Sequence, residues 1–191
     1  MRAAAAAAAE EAPAVCPVAG TVSREKRRSG ALRERLLREA LRRGFSRDGE
    51  MFCLDDLLAL ARDECGLEAA SWLPPGELSS ASVERALAGG ARLLIAYDVD
   101  GGFSPQQAGG ARAHWAVLCG FLRGCDGDGD SHVVLVHSMS RVPVVCDLRD
   151  LVASNAQLVA ARDSRWLVTP GQGPRLGGAI VVPSALPPPV S

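Results

Sequence analysis

At 191 residues the chain is long enough for one domain with a real hydrophobic core and barely enough for two. Hydrophobic content of 48% argues against general disorder, and a formal net charge of −1 supplies no strong field to draw the chain onto nucleic acid or an anionic membrane. Aromatics, at 4%, are too few for a platform that stacks single-stranded bases. No apolar run approaches the length of a membrane span.

In chain order, residues 1–30 read as a poorly ordered segment. The Ala3 to Ala9 run lacks the bulky apolar residues of a secretory signal and leads into Glu10 and Glu11. Arg24, Lys26, Arg27 and Arg28 form a basic patch that reads as a solvated loop. A single domain is expected over 31–183. Leu32, Leu36, Leu37, Ala40 and Leu41 make one apolar face at helical spacing, with Glu34–Arg38 and Glu39–Arg43 as i,i+4 pairs and Gly44 as the stop. A second helix is predicted over Leu54–Glu64, ended by Gly66. A third, short helix is predicted over Ala81–Ala88, capped by Ser79 or Ser80.

The pattern then turns to strands. Arg92–Tyr97 and Ala113–Leu122 are compact apolar runs. His132–His137 and Arg141–Cys146 read as a hairpin, Trp166–Thr169 and Ala179–Val182 as short strands, and Asp147–Ala153 as a helix capped by Asp147. Helices first and strands afterwards predict an α+β domain with an antiparallel sheet. A tail over 184–191, ending in Pro187, Pro188 and Pro189, favours an extended polyproline conformation, the form that proline-binding proteins such as profilin accept.

Six cysteines are present: Cys16, Cys53, Cys65, Cys119, Cys125 and Cys146. Without a secretory signal, and with Cys119 and Cys146 inside apolar stretches, they are expected to be reduced thiols in a cytoplasmic setting. No CxxC pair marks a zinc site. The acidic run from Cys125 to Asp130 opens like a calcium loop but has Ser131 where the sharp-turn glycine belongs and His137 where a bidentate glutamate belongs. No metal or cofactor is expected.

Three histidines remain as candidates for chemistry. His132 and His137 bracket one strand at an odd separation, which points them to opposite faces. His114 opens an apolar strand after the glycine-rich loop from Asp98 to Arg112, the position from which a rigidly held imidazole faces a cleft. The competing reading is a structural histidine at a strand end.

Four segments occur in order: Gly49-Glu50-Met51-Phe52, Leu93-Leu94-Ile95-Ala96-Tyr97-Asp98, Ala113-His114-Trp115-Ala116-Val117 and Ser154-Asn155-Ala156-Gln157-Leu158. Together they resemble the actin maturation proteases, a family of intracellular cysteine aminopeptidases, over roughly Leu32 to Val182. The resemblance implies a papain-like cysteine peptidase fold related to bacteriocin-processing peptidases. It implies the actin N-terminus as substrate, with removal of an N-acetylated Met or Cys, and His114 as the general base that takes the proton of a cysteine thiol. An oxyanion hole would come from a backbone N–H at the nucleophile and a preceding glutamine. His137, Ser138 and Asn155 all lie where a residue orienting the histidine belongs, and the choice among them stays open.

The family places Gln-Cys-Gly ahead of a buried helix. Here the cysteine that precedes the domain is Cys16, within Ala14-Val15-Cys16-Pro17-Val18-Ala19-Gly20. No glutamine precedes it, and Pro17 supplies no backbone N–H. The expectation is therefore a fold lacking an intact nucleophile helix, with an exposed apolar groove and little peptidase activity in the chain as written. The alternative function is that of an inactive or truncated relative that binds actin or a proline-binding partner.

Overall fold

The computed structural model describes residues 19–123, 130–159 and 175–184. The chain divides into two compact units, Met1–Arg35 and Leu36–Ser191. The described part of the first is the opening of helix α1 (Ala19–Arg42), and every later element lies in the second. The helix begins at Ala19, well ahead of the apolar periodicity that starts at Leu32. Cys16, the Cys125–Asp130 run apart from Asp130, the expected strand at Trp166–Thr169 and the proline tail from 185 onward lie outside the described residues.

The remaining elements are α2 (Leu54–Cys65), β1 (Ser71–Leu73), α3 (Ser80–Ala88), β2 (Arg92–Val99), β3 (Pro105–Gln106), β4 (Ala113–Arg123), β5 (Ser131–Val136), β6 (Val144–Asp147), α4 (Leu148–Ala156) and β7 (Ala179–Val182). The α+β expectation holds. The strands form one antiparallel sheet in the order β1-β7-β2-β4-β5-β6, with β3 pairing β2 off that path.

Local chemistry explains the boundaries. Gly66 ends α2 in the left-handed region at φ 66°, its N–H bonded to the Ala61 carbonyl. Ser79 caps α3 in a reciprocal pair with Ser82. The Asp147 carboxylate accepts from the Arg149 and Asp150 N–H groups, starting α4 as expected. The strand expected from Arg141 starts only at Val144, because Pro143 has no N–H to give to a ladder.

Strand β2 is buried on both sides, which is why its sequence is an almost unbroken apolar run. Leu93, Ile95 and Tyr97 pack with Leu118 and Leu135 against Val83 and Leu87 of α3 and Leu148 and Leu151 of α4. Leu94 and Trp115 pack instead with Leu54 and Leu58 of α2 and with Ile180 of β7. Further along the sheet Val117, Val136 and Val145 stay exposed on β4, β5 and β6.

Candidate functional site

A cavity of about 730 Å³ opens at the end of the sheet where β2 finishes and β4 begins. Its wall includes Glu50, Met51 and Phe52 from the segment before α2, Ala96 from β2, and Ala113, His114 and Trp115 from β4. Three of the four sequence segments singled out above therefore line one space. A hydrogen bond joins the two most specific of them: Trp115 Nε1–H donates to the Met51 carbonyl at 3.1 Å. The indole thus clamps the 50–52 segment onto the strand that carries His114.

The fourth segment, on α4, builds the cavity from behind. Asn155 is fully buried, and all its amide hydrogen bonds run to backbone. Its Nδ2 donates to the carbonyls of Ala96 (2.9 Å), Gly178 (3.0 Å) and Leu176 (3.3 Å), and its Oδ1 accepts from the Gly178 N–H at 2.8 Å. Gly178 must be glycine, because at φ 94° an added Cβ would stand 2.4 Å from the Leu73 carbonyl oxygen. Asn155, open in the sequence as an orienter of His114, is committed instead to pinning β2 and the approach to β7.

Asp98 is the second anchor, also fully buried. Its carboxylate accepts the backbone N–H groups of Ala108 (2.9 Å), Gly110 (2.8 Å) and Arg112 (2.7 Å) and the Gln157 side chain (2.9 Å). Burial pushes its pKa up, but these donors, Gln157 first, outweigh burial and hold the carboxyl below its ordinary value. Gln157 also accepts the Gly109 N–H, and Ser154 Oγ donates to the Gln106 carbonyl at 2.6 Å. The glycine-rich loop is thus folded around one carboxylate, and it delivers the chain to His114 in a fixed register opposite Tyr97. In the sequence, Asp98 read as the end of the Leu93–Asp98 segment and the start of a polar loop.

His114 lies half-buried at the strand mouth, on the cavity wall, as expected from its place after that loop. Its Nε2 is 3.4 Å from Ser138 Oγ, and its ring stands edge-on to His137 with centroids 5.5 Å apart. Burial first, and the neighbouring His137 second, lower its pKa from the ordinary histidine value. Such a group is neutral near pH 7 and able to accept a proton. Glu50, Asp100 and Arg112 bring charges of both signs to the same cavity.

Cys53, Cys65, Cys119 and Cys146 are free thiols. Burial pushes Cys146 up to about 12 and also raises Cys53, although the Arg175 guanidinium lies 3.0 Å from the Cys53 sulfur. None of these four lines the cavity. Among the described residues no group of His, Cys, Asp or Glu is placed to hold a metal, and no helix is long and apolar enough to cross a membrane.

Comparison with known proteins agrees with the convergence of these segments. The family model described as "Actin maturation protease-like, C-terminal domain" matches residues 13–122. Among curated proteins, the actin maturation protease of Drosophila melanogaster is 32% identical over 151 residues, covering 76% of this chain and 55% of the relative. That of Homo sapiens is 41% identical over 99 residues, 50% of this chain and 28% of the relative. That of Mus musculus is 40% identical over 94 residues, 48% of this chain and 26% of the relative. The chain thus spans about half the length of the fly relative and under a third of the two mammalian ones. No solved structure matches it. With more than half of its residues inside that family model, the chain belongs to the actin maturation protease-like family.

Proposed function

We propose that this chain is a cytoplasmic, papain-like cysteine aminopeptidase that removes an N-acetylated Met or Cys from the actin N-terminus. The observation that carries this reading is His114 on the cavity wall, between the clamped 50–52 segment and the loop folded around Asp98. His114 serves as general base. It takes the proton of a cysteine thiol, the thiolate attacks the carbonyl of the first peptide bond, and the proton then goes to the leaving amine. A lowered histidine pKa suits the first of these steps, since the imidazole starts neutral. Met51, Phe52 and Trp115 supply apolar wall suited to the side chain of an N-terminal methionine.

A specific feature favours a second reading, that of an inactive relative that still binds the actin N-terminus. The residues around Cys16 lack the Gln-Cys-Gly pattern, and Pro17 has no N–H for an oxyanion. Val117, Val136 and Val145 leave an exposed apolar strip on the sheet among the described residues.

Incubating purified protein with an acetylated actin N-terminal peptide separates the two. Cleavage abolished by both Cys16→Ser and His114→Ala makes Cys16 the nucleophile and removes the second reading. Peptide binding without cleavage supports the second reading, and cleavage that survives His114→Ala overturns the role given to His114.

A further inference from the structure

The turn after β5 meets His114 on two sides. Ser138 Oγ lies 3.4 Å from His114 Nε2, whereas no hydrogen bond engages His114 Nδ1 among the described residues. His137 approaches the same ring edge-on, its plane at 83° to that of His114. His137 is itself held from two directions. Its Nδ1 accepts the Met139 backbone N–H at 3.2 Å, and its ring lies 5.0 Å from that of Phe103. Phe103 adopts φ 70°, a left-handed conformation that is unfavourable for a non-glycine residue. The Tyr97 hydroxyl donates to the Phe103 carbonyl at 3.1 Å and keeps it there.

These contacts set the protonation of His137. An Nδ1 that accepts leaves the proton of the neutral ring on Nε2. That atom is buried and has no hydrogen-bond partner among the described residues. A buried donor without a partner works against stability, and so does a phenylalanine in the left-handed region. Phe103 packs against His137, and His137 in turn stands edge-on to the imidazole on the cavity wall, so both costs are carried by the groups that back His114.

We propose that residues 137–139 form the positioning element of His114: Ser138 accepts the Nε2 proton, leaving Nδ1 as the working nitrogen, while His137 fixes the plane of the ring. The proposal rests on the reading of His114 as general base. A neutral imidazole takes a proton at one nitrogen only while the other carries one, so an oxygen that accepts the Nε2–H holds the ring ready to take a proton at Nδ1. Here that oxygen is a hydroxyl, which steadies an imidazolium less than a carboxylate does. His137 and Ser138, both left open by the sequence, thereby take separate parts. The charged groups bordering the same cavity are Glu50 before α2, Asp100 after β2 and Arg112 before β4.

The test is a histidine-resolved NMR titration of the full chain, read without substrate. Ser138 is exposed, so Ser138→Ala should fold. Loss of its oxygen removes an acceptor for the protonated ring, so the His114 midpoint should fall in Ser138→Ala and recover in Ser138→Thr. His137→Phe keeps an aromatic ring but removes a neighbour that opposes protonation, so the His114 midpoint should rise. Shifts of opposite sign support the proposal, and a His114 midpoint unmoved by Ser138→Ala overturns it. Failure of the general-base reading would show differently, as cleavage indifferent to His114→Ala with these midpoints still shifted.

Discussion

Two polar clusters in this molecule use similar groups to different ends. One centres on Arg43, at the end of α1, whose guanidinium reaches Glu39 and Asp63 at 2.6 Å and Glu64 at 3.5 Å. The other centres on Asp98 and Asn155 beneath the cavity, both fully buried. The Arg43 cluster lies at the surface and is partly exposed, so water and salt compete for its bonds. The Asp98–Asn155 cluster has no such substitute. Its donors and acceptors are mostly backbone atoms of the loop before β4 and of the approach to β7, so losing one side chain leaves several groups unsatisfied. Burial, rather than formal charge, decides which cluster specifies structure.

Asp98→Ala is the largest way to break that contrast. It strands three loop N–H groups and the Gln157 amide, and should cost about 3–5 kcal/mol of unfolding free energy. Denaturant unfolding measures it, and a loss below about 1 kcal/mol would mean the loop holds itself. Asn155→Ala should follow at about 2–3 kcal/mol, since it frees one N–H and loses three donated bonds.

Acid sharpens the comparison. His114 and His137 both have pKa values lowered by burial, so the unfolded chain binds protons first. Stability is complete above the ordinary histidine range and should fall as pH drops through about 6.5 toward the folded values. Asp98, also lowered, adds a later loss: its contribution is present above about pH 4 and disappears as pH falls through its folded pKa. Unfolding midpoints measured across pH should show the histidine arm vanish in a His114→Phe, His137→Phe double variant. The smallest effect belongs to Arg43→Met, whose unfolding midpoint should barely move and should match wild type in high salt.

The same contrast explains what was legible in the sequence. Periodicity and capping residues located α2, α3 and α4, and the apolar runs located β2, β4 and β7, because each is long enough to show a period or carries a stop at its end. Strand β1 has three residues and β3 two, too few for any alternation. The early start of α1 was hidden because residues 19–30 carry charge without an apolar stripe. His114 was found through its position at a strand mouth. The anchoring role of Asp98 was not legible, because its partners are mostly backbone N–H groups that a sequence does not display. Asn155 stood among the candidates for orienting the histidine, yet it is buried and bonds across to β2 and the 176–178 segment, contacts distant in sequence.

Whether the cavity receives an actin N-terminus underlies both functional readings, and one measurement addresses it whatever becomes of the nucleophile. Isotope-labelled chain is titrated with an acetylated actin N-terminal peptide and followed by NMR. Saturable shifts at Met51, His114 and Trp115, weakened by Trp115→Ala, are the expected result. No saturable binding, or shifts confined to residues remote from these three, would contradict it.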